Sequence, residues 1–154
     1  GGATLGVGLL VGGIIFNITG SGLSEKADEA EEQMLKAEKT INLSCEFFDK
    51  LKNTASKYKE SLLVVKKKYD LVFSEVYRVV NLSGKVDWNE FTKEEQLATK
   101  KSILLVGLLY KMCKVNLVKK TESDKNTNEV NNTDIEMTMD TAKEVIESME
   151  SGIQ

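Results

Sequence analysis

Two thiols and one small group of carboxylates are the side chains in this sequence whose types could do chemistry. Cys113 stands beside Lys111 and Lys114, and neighbouring positive charge favours the nucleophilic thiolate. Its place on an apolar helical pattern nevertheless reads as that of a buried, inert thiol, and Cys45 reads the same way. Two cysteines are too few for a disulfide framework and are not spaced as zinc ligands. Asp87, Glu90 and Glu94 lie close enough in sequence to share a weakly held calcium ion, but the twelve-residue loop that makes such a site is missing. Histidine is absent altogether. That removes the usual general base near neutral pH and the commonest metal ligand. No phosphate-cradling glycine loop and no nucleophile motif occurs. The chain therefore reads as a non-enzyme, with no catalytic, cofactor-binding or metal-binding residue and no cofactor.

Charge narrows the partners. Lys66, Lys67 and Lys68, with Lys57 and Lys59 nearby, are of a type that attracts acidic lipid headgroups, yet the interspersed acids make them a solvated helix face. A net charge of -3 gives no drive toward nucleic acid. Trp88 and Phe91, in VDWNEFT, read as apolar anchors of a turn between helices, with a partner-docking patch as the functional alternative.

The elements that must position these residues are helices. From Ala27 to Val79, uncharged residues recur at alternating spacings of three and four in a chain that is 29% charged. Ala27, Ala30, Met34, Ala37, Ile41, Ser44, Phe48, Leu51, Ala55, Tyr58, Leu62, Val65, Tyr69, Val72, Val76 and Val79 form this heptad seam. The spacing predicts one helix over about residues 23 to 82, capped by Ser24 and ended near Gly84. At the standard rise it is on the order of 85 to 90 Å long. The face opposite the seam is polar throughout. Early flanks are polar too, whereas Phe47, Leu63, Val64, Leu71, Phe73 and Val80 widen the apolar stripe farther on, which predicts more than one partner helix there.

Thr92 to Glu95 fits a capping box for a returning helix that runs to about Lys119, and its stretch SILLVGLLY, apolar almost all round, predicts the most buried helix. Residues 119 to 132 are polar and without period, and read as a mobile loop. A last amphipathic helix starts at a Thr133 or Asp134 cap and aligns Ile135, Met139, Ala142, Val145, Ile146 and Met149. The fold class is all-α, an elongated antiparallel helical bundle or coiled coil. Its organisation is an apolar glycine-rich segment (1-22), a long helical hairpin (23-119), a polar loop (120-133) and a C-terminal helix (134-154).

Ala3 to Thr19 is apolar or small apart from Thr4, Asn17 and Thr19. About 17 residues make a helix of roughly 25 Å, a marginal membrane span. The pairs Gly2 with Gly6 and Gly8 with Gly12 have the spacing that lets membrane helices approach closely. An opening Gly-Gly without methionine reads as a piece of a longer parent. Two covers suit the small early seam residues: the glycine-rich segment folded back, or a second copy of the chain.

The order of features, with VGGIIF, a Gly-Ser break, SEKADEAEEQM and VDWNEFTKEEQ, resembles a group of uncharacterised bacterial helical proteins that carry chemotaxis-like or apolipoprotein-like names. The similarity covers about residues 3 to 118. It implies a bacterial, membrane-associated helical protein, and it brings no catalytic residue. The expected function is a non-enzymatic interaction or scaffold module on the cytoplasmic side of a membrane. The alternative is a membrane-active or lipid-binding protein. Candidate interaction residues are Gly8 and Gly12 for the apolar segment, Leu62 and Val65 for a homo-oligomeric seam, and Trp88 and Phe91 for the turn.

Overall fold

The computed structural model describes residues 25–123 and 127–151. Three α-helices dominate them: α1 (Glu25–Tyr77), α2 (Lys93–Lys114) and α3 (Asn132–Glu150). A two-stranded antiparallel ladder, β1 (Val118–Lys120) with β2 (Asn128–Val130), is the small exception to an all-α chain. The glycine-rich segment, with Gly8 and Gly12, lies outside the described residues.

α1 is the long helix that the seam predicts. It runs for 53 residues and passes into a π-helical turn, Arg78–Leu82. There Ser83 N–H donates to Arg78 O at 3.0 Å, and Lys85 N–H reaches back to Val79 O at 3.3 Å. Gly84 closes the turn at φ +68°, a left-handed conformation that costs a residue with a Cβ about 1–2 kcal/mol. The chain then reverses through a 3₁₀ turn, Trp88–Glu90, in which Asn89 N–H donates to the Asp87 side chain. α2 starts at a complete capping box. Glu95 N–H donates to Thr92 Oγ1 at 3.2 Å, and Thr92 N–H donates to Glu95 Oε2 at 2.9 Å.

The described chain divides into two compact units, one taking in the helix up to Asn53 with Val118–Val130, the other Thr54–Leu117 with the segment from Asn131 onward. In the second unit, the C-terminal part of α1 packs with α2 and α3. Its buried apolar core is Tyr58, Val65 and Val79 from α1, Leu105, Leu108 and Met112 from α2, and Ile135, Ala142 and Met149 from α3. These are seam positions of α1 and the apolar stripe of α3, and each Val, Leu, Ile or Met side chain among them taken wholly from water contributes about 1.5–3 kcal/mol. In the first unit α1 keeps its helix, but its large seam residues are uncovered, Met34 at 70% and Phe48 at 58% exposure.

Four expectations are corrected here. α2 stops at Lys114 rather than near Lys119, because Val115 turns extended (φ -68°, ψ 126°) and the chain enters the strand Val118–Lys120. The polar stretch after it is ordered where it pairs, with Val118 opposite Val130, Lys119 opposite Glu129 and Lys120 opposite Asn128. Backbone pairing stabilises this ladder, and hydropathy has no means of announcing it. α3 begins two or three residues early, at Asn132, with Asn131 at the cap position in place of Thr133 or Asp134. Lastly, α2 is buried on one face only. Ser102, Leu105, Leu108 and Met112 are buried, whereas Ile103, Leu104, Val106 and Tyr110 are exposed.

Candidate functional site

Among the described residues no group of three or more histidine, cysteine, aspartate or glutamate side chains is placed to hold a metal ion. The acids near the turn are committed to local structure. Asp87 Oδ1 accepts from Asn89 N–H at 2.9 Å and from the Asn89 amide at 3.0 Å. Glu95 receives both contacts of the Lys85 ammonium, at 2.7 and 3.0 Å, besides its role in the capping box. The Lys85 hydrogen bond and the Thr92 amide hold the Glu95 carboxyl below the usual glutamate range. Glu94 is lowered as well, chiefly by its own backbone amide and the Thr92 hydroxyl at the start of α2. Glu75 is lowered by Arg78, whose guanidinium contacts both its oxygens, at 2.6 and 3.2 Å. These carboxylates serve as fixed anions within turns and caps. None converges with another on a cavity.

The second unit carries a cleft of about 450 Å³ between α1 and α3, lined by Ser61, Val64, Val65, Ala142 and Ile146, with Lys143, Glu147 and Glu150 also lining it. Lys143 and Glu147 pair at 3.9 Å, and Glu150 faces Lys68 at 3.4 Å. Its chemistry is that of an apolar floor between balanced charges. No helix of the described residues is long and apolar enough to cross a membrane.

The sequence-derived site residues separate. Val65 is buried and Leu62 half-buried in the second unit. Val65 is an interior residue of the bundle, so a contact between copies through it would require the bundle to open, whereas Leu62 keeps part of its surface exposed. Trp88 and Phe91 pair at 5.5 Å between ring centroids in the turn, with Phe91 half-buried and Trp88 42% exposed. Both cysteines are free and exposed, against the expectation of buried thiols. Cys45 falls beside the seam in the uncovered part of α1, and Cys113 lies one residue off the buried stripe that ends at Met112. One residue is the difference between core and solvent on a helix, and side-chain type alone does not resolve it.

Two polar residues missed in the sequence organise the bundle. The buried Tyr58 hydroxyl donates to Met112 O at 2.8 Å, tying α1 to the last turn of α2. Burial pushes the Tyr58 hydroxyl up from its usual pKa, with Cys113 adding to the effect. Asn131 is buried too. Its amide donates to Asn116 O at 3.0 Å and to Asp134 Oδ2 at 2.8 Å, while its backbone N–H donates to Leu117 O at 2.9 Å. It therefore clamps the entry of α3 onto the exit of α2. The uncharged seam position of Tyr58 was legible; its hydroxyl partner 54 residues away was not.

What remains as candidate functional surface is apolar and helical: the uncovered half of the α1 seam and the outer face of α2. No protein-family model, curated protein or solved structure matches the chain.

Proposed function

We propose that this chain is a non-enzymatic interaction module that pairs with a second copy of itself through the uncovered half of the α1 seam, residues 27 to 51, and is held at a membrane by the apolar segment 3–19. The observation that carries the reading is the split of one seam into two fates. At the heptad position shared by Met34, Ile41, Phe48, Leu62, Tyr69 and Val76 the first three are exposed and the last three half-buried. At the other seam position Ala30, Ala37, Ser44 and Leu51 are half-buried, whereas Tyr58, Val65 and Val79 are buried within the bundle. A heptad stripe sustained for nearly four repeats without a charge is a coiled-coil surface. Flanking residues favour a parallel, in-register partner. In that pairing Lys26 meets Glu31 of the other copy with opposite charge, and Gln33 meets Glu38 without a like charge. The small Ala30, Ala37 and Ser44 leave little area per layer, so association is concentration-dependent. Support for the membrane tether comes from the sequence of Ala3 to Thr19 and its glycine spacing.

Sedimentation equilibrium of the full chain in detergent, across a range of concentrations, tests the pairing. The wild type is expected to associate and Ile41→Asp to remain monomeric with its helical signal intact. Equal behaviour of the two proteins would remove the seam from the account.

A further inference from the structure

We infer that the outer face of α2 is a docking surface for anionic lipid headgroups, a second membrane contact that does not depend on residues 3–19. Ile103 at 69% and Tyr110 at 63% exposure, with Leu104 and Val106, form an apolar band on the side of α2 away from Leu105 and Met112. Along the helix axis the band covers roughly 10–12 Å. Lysines bound it at both ends, Lys100 before it and Lys111 and Lys114 after it, all exposed. Lys114 holds its ammonium 5.1 Å from the centre of the Tyr110 ring. Lys100 and Lys111 have no acidic partner among the described residues.

The charge around this band is one-sided. Between Glu95 and Glu122 the chain carries six lysines and no acid, in a protein whose net charge is -3. An apolar strip bounded by unpaired lysines fits the boundary of an anionic bilayer. Aliphatic groups enter the acyl region while the lysine stems lie along it and their ammonium groups reach the phosphates. Gly107, in the middle of the band, has nothing within 4 Å of where a Cβ would stand, so no internal packing demands a glycine there. The acidic face of α3 from another copy would match the charge, but the only large apolar residue it exposes is Met137. It has no counterpart for the aliphatic band. The early half of α1 exposes Met34, Ile41 and Phe48 among acids, but the seam pairing proposed above, on which this choice rests, already occupies it, so the bilayer is the better occupant. α2 lies on such a surface and does not span it, in keeping with its length and its lysines.

The test uses the full chain with Cys45→Ser and an environment-sensitive fluorophore on the exposed Cys113, mixed with vesicles of phosphatidylcholine alone or of phosphatidylcholine with phosphatidylserine. Binding to the neutral vesicles reports residues 3–19. The increment with phosphatidylserine reports α2. The inference expects a blue-shifted emission that grows with phosphatidylserine, and a loss of that increment by roughly thirtyfold in Lys100→Gln/Lys111→Gln, at the usual contribution per lysine. Ile103→Ser/Tyr110→Ser should lose the shift while circular dichroism melts stay unchanged. An unshifted probe, or an increment the same in all variants, overturns it. So does lipid-independent self-association abolished by the lysine substitutions, which would assign the face to a second copy.

Discussion

Single residues carry the hinge points of the bundle, and their energetics can be separated. Glu95 joins three interactions: the Lys85 pair, the Thr92 amide and the start of α2. Its folded pKa is depressed, so the unfolded chain takes up the proton first as pH falls. The stability it contributes is therefore complete above the ordinary glutamate pKa and lost as pH drops through the folded value. Thermal melts from neutral pH downward should show this acid loss in the wild type and a flatter profile in Glu95→Gln. Thr92→Ala should cost about 1 kcal/mol by removing the cap alone. Tyr58→Phe should cost about 1 kcal/mol in denaturant unfolding, because Met112 O loses its buried donor. At the alkaline end the sign reverses. The raised Tyr58 pKa means the unfolded chain ionises first, and stability falls as pH climbs past the usual tyrosine value. Gly107→Ala is expected to stabilise by up to about 1 kcal/mol, since the added methyl meets open space and the helix loses its least favourable residue.

At the scale of elements, what the sequence made legible was periodicity and what it hid was depth. The long helix, the Gly84 stop, the capping box at Thr92 and the face of α3 all follow from local spacing and local hydrogen bonds, and all four stand. The outer face of α2 did not follow. Ile103, Leu104 and Val106 are apolar like Leu105 and Leu108, and hydropathy cannot say which side has a neighbour. The same ambiguity placed Cys113 inside and assigned a second partner helix to Leu63 and Phe73, which are exposed, Phe73 stacking on Tyr69 of its own helix. The β1–β2 ladder was invisible because its residues, VKK and NEV, are held by backbone bonds and a cross-strand Lys119–Glu129 ion pair, neither of which hydropathy registers. A paired substitution separates the two sides of α2. Leu105→Ala should destabilise by about 2–5 kcal/mol, and Ile103→Ala should stay within about 0.5 kcal/mol of the wild type, both read from chemical denaturation.

For the whole molecule, one apolar seam on one helix is used twice: its later part builds a core with α2 and α3, and its earlier part is left as surface. Nothing in the heptad pattern distinguishes the halves except side-chain size and flank polarity. The candidate site was for that reason only half legible, since the seam residues were nameable and their exposure was not. Val65→Asp should unfold the bundle, because it puts a charge at a site with 1% exposure. Ile41→Asp should leave it folded. Hydrogen–deuterium exchange along α1 at rising protein concentration tests this division most directly. The account predicts that amides of residues 58–79 are protected at every concentration, while those of residues 30–51 exchange faster when dilute and gain protection as copies pair. Equal protection along the whole helix, unchanged by concentration, would contradict it.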